Sequence, residues 1–165
     1  MTRLLTLVLT LAAAAPAQIA SITPFGTACG QVPSVIATVG LPRPGSAVTF
    51  THSPMTSSGM FGSYTTWLAL GFPQTSWAGG PLPWPVPAWM TNPVSGCTLY
   101  VAPDVVVQGT QSPATNDDRV VLAIPNNPGL LGVTFDAQWL PTQFRFTMMT
   151  IRYHLSSAMR LVVGN

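Results

Sequence analysis

Two histidines, His52 and His154, four aspartates, Asp104, Asp117, Asp118 and Asp136, and many serines are the stock from which a hydrolytic site could be assembled. Their spacing orients none of them. A G-x-S-x-G elbow, which would expose a serine nucleophile, is absent, and His52 and Ser53, as neighbours on a strand, point to opposite faces. With four Asp and no Glu, paired carboxylates for glycoside cleavage are scarce. Asn116, Asp117 and Asp118 offer part of the oxygen shell that calcium wants, but their position before a strand reads as a solvated turn. Two histidines this far apart do not make a zinc site. The expectation is a non-enzymatic chain with no metal and no cofactor.

Sulfur and indole chemistry is more informative. Cys29 and Cys97 are the two cysteines of the chain, and in an oxidising compartment such a pair reads as one disulfide. Closing a loop of that length stabilises a fold by roughly 4 kcal/mol on the chain-entropy model. Trp77, Trp84 and Trp89 fall in a segment where Pro81, Pro83, Pro85 and Pro87 recur at every second position. Flat rings on a stiff support stack on the apolar faces of sugars, so these three tryptophans form the candidate ligand-binding set. The competing expectation is that they fold back and seal one end of the core. Trp67 and Trp139 lie in strand patterns and are assigned to the core.

The elements that must position these residues read as strands. Alternating or continuous apolar patterns mark 34–39, 47–52, 64–72, 97–102, 105–108, 119–124, 133–140, 145–155 and 159–163. In the run 133–140, Val133, Phe135, Ala137 and Trp139 alternate with Thr134, Asp136, Gln138 and Leu140, which places Asp136 toward water. Residues 21–30 read as an irregular lead-in punctuated by Pro24, Gly26 and Gly30, and 73–96 as a long polyproline-like or loop excursion. Seventeen Pro and fourteen Gly argue against helices. The predicted fold is all-β, an antiparallel two-sheet sandwich of immunoglobulin-like type with a jelly roll as the alternative, carrying a long Pro/Trp-rich loop.

Composition narrows the partners. Six Arg without Lys, against four Asp, leave too few cations to displace phosphate counterions, so nucleic acid is not expected. Arg145, Arg152 and Arg160 are read as edge-strand charges that discourage uncontrolled pairing. Arg3, the uncharged apolar run 4–15 and the small-x-small pattern Ala15-Pro16-Ala17 predict a signal peptide over 1–17, cleaved before Gln18. The run is too short to cross a bilayer, and no membrane span is expected. What remains, 18–165, is one secreted, cell-surface or periplasmic domain. Its expected role is adhesion, surface structure or recognition of a surface glycan or protein, with a carbohydrate-binding module as the alternative and a secreted hydrolase as the third reading.

The order of landmarks resembles a family of small secreted β-sandwich domains of unassigned role, abundant in planctomycetes and similar bacteria. The resemblance is carried by Phe25-Gly26-Thr27-x-Cys29-Gly30, Gly40-Leu41-Pro42-x-Pro44-Gly45, Leu68-x-Leu70-Gly71 and Pro81-Leu82-Pro83. It continues through Gly96-Cys97-x-Leu99, Ile124-Pro125-Asn126-x-Pro128-x-Leu130-x-Gly132, Phe135-x-x-Gln138-Trp139 and Val163-Gly164. It spans nearly the whole of 18–165. It implies a fold and an exported location, with no activity, ligand or catalytic residue. The region 145–160 departs from the family's pattern, since it lacks a Gly- and Asn-rich turn between the last two strands.

Overall fold

A computed structural model describes residues 18–29, 36–53, 62–87, 96–112, 117–145 and 150–165. The proposed leader 1–17, the candidate ligand residue Trp89 and the turn residue Asn116 lie outside these. In chain order the strands begin with β1 (Ser21–Phe25), β2 (Ile36–Val39), β3 (Ala47–His52), β4 (Gly62–Thr65) and β5 (Trp67–Gly71). The Pro-rich excursion contributes β6 (Ser76–Trp77), β7 (Gly80–Pro81) and β8 (Trp84–Pro85), which are followed by β9 (Thr98–Leu99), β10 (Val105–Gln108) and β11 (Thr110–Gln111). The last are β12 (Asp118–Ala123), β13 (Thr134–Trp139), β14 (Thr142–Arg145), β15 (Thr150–Tyr153) and β16 (Ala158–Val162).

The molecule is an all-β antiparallel sandwich. Among the described residues, one sheet has the order β1-β16-β13-β5-β10 and the facing sheet β11-β12-β3-β2. Their inner faces meet in one apolar cluster, with Ile36, Val48, Phe50 and Val120 from the second sheet against Leu68, Ala137, Trp139 and Leu161 from the first. That interdigitation is what the alternation of β3 requires, since Val48, Phe50 and His52 are buried while Thr49 and Thr51 are not. β10 and β11 form one stretch of chain that changes sheets at Gly109, whose N–H donates to the Thr66 carbonyl at 2.9 Å. A Cβ at Gly109 would fall 2.6 Å from Thr66 Oγ1 and 3.1 Å from the Trp139 ring, so the corner admits only glycine without a shift.

The central strands of the first sheet bend as they leave the core. β4 continues β5 beyond Thr66, and β14 continues β13 beyond Leu140-Pro141, so that β15-β14-β4 forms a third sheet. Residues 145–155, which the periodicity reads as one strand, therefore divide between β14 and β15, paired antiparallel with Arg145 opposite Thr150. No Gly or Pro marks the reversal, so the pattern carries through it.

Three further expectations change. The segment Ser21–Phe25 is a regular edge strand laid against β16, because an edge tolerates the missing donor of Pro24. Asp136 is buried rather than solvated, and its carboxylate accepts two hydrogen bonds from the Arg160 guanidinium, at 2.8 and 2.9 Å. Arg160 accordingly sits on a central strand between β1 and β13, with its guanidinium 5.2 Å from the Phe25 ring centroid, and does not guard an edge.

Candidate functional site

The disulfide organises the second cluster of buried residues. Cys29 and Cys97 are bonded, with their Cα atoms 5.0 Å apart, which is the pairing expected of the two. Around them gather Leu99 and Leu155, with Trp84, Val86, Leu140 and Tyr153 packed against the group. Cys29 donates its N–H to the Leu155 carbonyl at 2.9 Å, and Cys97 accepts from the Val86 N–H at 2.9 Å. The bridge thus fastens the Pro-rich excursion to the bent end of the first sheet. Within the excursion Pro81, Pro83 and Pro85 face solvent while Leu82, Trp84 and Val86 turn inward. This is the period of a strand, and β8 pairs with β9 through Trp84 opposite Leu99.

Between this flap and the outer face of the first sheet lies a groove of about 410 Å³. Trp67 of β5, Trp84 of β8 and Tyr153 of β15 form its aromatic walls, with Val106 of β10 at its open side and Thr142 and the buried His154 as its polar members. Trp84 also walls a second cleft of about 290 Å³, shared with Trp77, Ala78, Gly80 and Leu82. Trp77 stands on the hairpin β6–β7, 38% exposed, beside a two-residue turn in which Ala78 and Gly79 both take positive φ, 48° and 82°. Such a turn matches the twist of its strands and holds the indole outward.

The candidate set is thus partly assembled: Trp77 and Trp84 share a cleft. Trp84 is half-buried, and Trp67, assigned to the core from its pattern, is half-buried as well and faces the groove. Only Trp139 of the two strand tryptophans is fully buried. Trp67 and Tyr153 were not legible as groove residues because a strand pattern does not say which outer faces are later covered.

Of the hydrolytic ingredients, His52 is buried in the core and Asp104 is held by a loop. His52 is 2% exposed, its Nδ1 is 3.8 Å from Asp118 Oδ2, and its ring lies 5.7 Å from the Trp139 ring. Among the described residues neither ring nitrogen makes a hydrogen bond. Burial pushes the imidazole below its ordinary value of 6.5, against the pull of Asp118. Asp104 is spent on structure, accepting from the Phe72 N–H and from Gln74 Nε2, both at 3.1 Å. Among the described residues no three His, Cys, Asp or Glu side chains converge on a point that could hold a metal.

The wall of the groove has an internal support that the strand pattern conceals. Gln138 is fully buried, accepting from the Tyr100 N–H at 2.9 Å and donating to the Thr98 carbonyl at 3.1 Å and the Ser156 carbonyl at 2.8 Å. One amide therefore ties β13 to the segment after Cys97 and to the chain before β16. Fold and site define the class of molecule: a disulfide-pinned β-sandwich with an aromatic groove on one outer face. Compared with protein-family models, curated proteins and solved structures, the chain matches none of them.

Proposed function

We propose that this protein is an exported, non-enzymatic recognition module, and that the groove between Trp67, Trp84 and Tyr153 is its binding surface. One observation carries the reading: Trp84 walls two open clefts at once, each lined by at least one further aromatic ring. Rings held half-buried on disulfide-anchored strands keep one face accessible without losing side-chain entropy on binding. The lining is aromatic and aliphatic, with Thr142 and His154 as its polar members, which suits the apolar face of a neutral sugar ring. The disulfide and the leader pattern fit an extracellular or periplasmic setting, and membership of the planctomycete-type family of small secreted sandwiches belongs to the same proposal.

The purified protein is titrated with neutral oligosaccharides, after a glycan array, while tryptophan emission is followed. Binding is expected to perturb the emission, to fall at least tenfold in Trp84→Ala, and to fall less in Trp77→Ala. An array without hits, or affinity unchanged in Trp84→Ala, removes the saccharide reading. A specific observation supports a purely structural role in that event, since Trp84 also covers the cluster around the disulfide.

A further inference from the structure

We infer that the gap between the two main sheets, at the end of the sandwich where Phe72 and Val105 stand, is a binding site for a single unbranched alkyl chain carried on an uncharged head group. The gap has a volume of about 320 Å³. It opens directly off the core, since Leu70, Leu122 and Phe135 line it and also pack against the main apolar cluster. Strand alternation places them there: Leu70 follows Leu68 on the inward face of β5, Leu122 follows Val120 on that of β12, and Phe135 precedes Ala137 on that of β13. The one-turn 3-10 helix Pro128–Leu130 adds Leu130. All four are only half-buried, so each keeps apolar surface for the gap.

The polarity of the lining decides the class of ligand. Backbone groups at its rim are spent within the protein: Ile124 donates to the Ser46 carbonyl at 2.8 Å and accepts from the Gly45 N–H at 3.0 Å, and Val163 donates to the Val133 carbonyl at 2.8 Å. Asp104, the charged member of the lining, is occupied by the Phe72 N–H and by Gln74 Nε2. Among the described residues, none of the unpaired buried polar side-chain atoms belongs to the lining. A peptide strand, a sugar or a charged group entering here would give up hydrogen bonds to water and find none in exchange. A hydrocarbon gives up nothing. The aromatic groove differs in that Thr142 and His154 stand in its wall.

Size selects among apolar occupants. A dry cavity of about 150 Å³ takes up one benzene ring, so a single phenylalanine side chain offered by another protein, or Phe72 of a second copy, would fill only about half of the gap. On the same scale a chain of roughly a dozen heavy atoms fills it. A helix, about 10 Å across with its side chains, does not enter between sheets that lie about 10 Å apart and already interdigitate. Entry end-on between two packed sheets suits a slender chain rather than fused rings. The rim, with Phe72 61% and Val105 55% exposed, then covers the part of the chain next to the head group. No saccharide in the aromatic groove is required.

Calorimetric titration of the purified protein with straight-chain alcohols from hexanol to tetradecanol, each below its solubility limit, tests it. Affinity is expected to rise about fourfold with each methylene moved out of water and to level off at roughly a dozen heavy atoms. No tryptophan lines the gap, so tryptophan emission, which follows the aromatic groove, is expected to stay unchanged. Val133→Phe, which fills part of the gap, should weaken decanol binding at least tenfold with unchanged circular dichroism. Leu130→Ala, which enlarges it, should move the plateau to longer alcohols. Absence of binding, affinity indifferent to chain length, or a plateau indifferent to Leu130→Ala overturns the inference. So does a folded Val133→Phe that binds decanol as the parent does, or a response in tryptophan emission that places the chain in the groove. Naphthalene binding more tightly than decanol, a dimer that excludes the alcohols, or capture on phosphatidylcholine vesicles without binding of the free chain overturns it equally.

Discussion

At the scale of single residues, His52 shows how a group that looks catalytic is used in the core. Its ring stands against Trp139 and near Asp118, and burial disfavours the imidazolium more than Asp118 favours it. A histidine whose folded value lies below its unfolded one binds protons more readily when unfolded. Its contribution to stability is therefore complete above the ordinary value of 6.5 and is lost as the pH falls from there toward the folded value. The melting temperature is expected to fall between about pH 7 and pH 5, above the range where ordinary aspartates begin to protonate. The slope cannot exceed about 1.4 kcal/mol per pH unit for one site. In His52→Phe, which keeps a ring beside Trp139, the slope over that interval should disappear. Calorimetry across the pH series checks this, and an equal slope in both proteins would move the acid sensitivity to another group.

At the scale of elements, the sandwich strands were legible and the cover over them was not. β3 and β12 alternate plainly because one of their faces meets the core and the other meets water. β13 fails that rule: Asp136 and Gln138 occupy its nominally wet face, yet both are buried beneath chain segments remote in sequence. Gln and Asp give no sign in one dimension that carbonyls and a guanidinium await them. The indole cluster was readable as a candidate from its prolines, whereas the groove depends on β5, β8 and β15 meeting, which no local pattern encodes. What holds β8 there is the pairing of Trp84 with Leu99 next to Cys97. Replacing both cysteines by serine is therefore expected to do two things. Stability, from the urea midpoint, should drop by roughly 4 kcal/mol for a 68-residue separation. Ligand-induced change in tryptophan emission should also be lost under conditions where the variant remains folded. A variant that keeps the binding response would show that the β8–β9 pair holds the groove without the bridge.

At the scale of the whole molecule, charge decides what kind of association is available. Ten charged Lys, Arg, Asp and Glu side chains in all, of opposing sign, leave a formal net charge of +2 across the sequence. Arg160 and Asp136 are engaged with each other on the first sheet. Long-range steering by the protein's field is accordingly weak, and the binding proposed at the groove has to come from apolar burial and stacking. Such interactions hardly respond to sodium chloride and are strengthened by excluded salts such as sulfate. Affinity for a neutral ligand in the groove is expected to change less than about twofold when the salt is raised tenfold, because no condensed counterions are released. A polyanion neutralised at only two phosphates would lose about 60-fold over the same range. Titrations at low and high sodium chloride distinguish the two. A steep salt dependence would mean that the five arginines after residue 17, rather than the aromatic groove, govern what this protein binds.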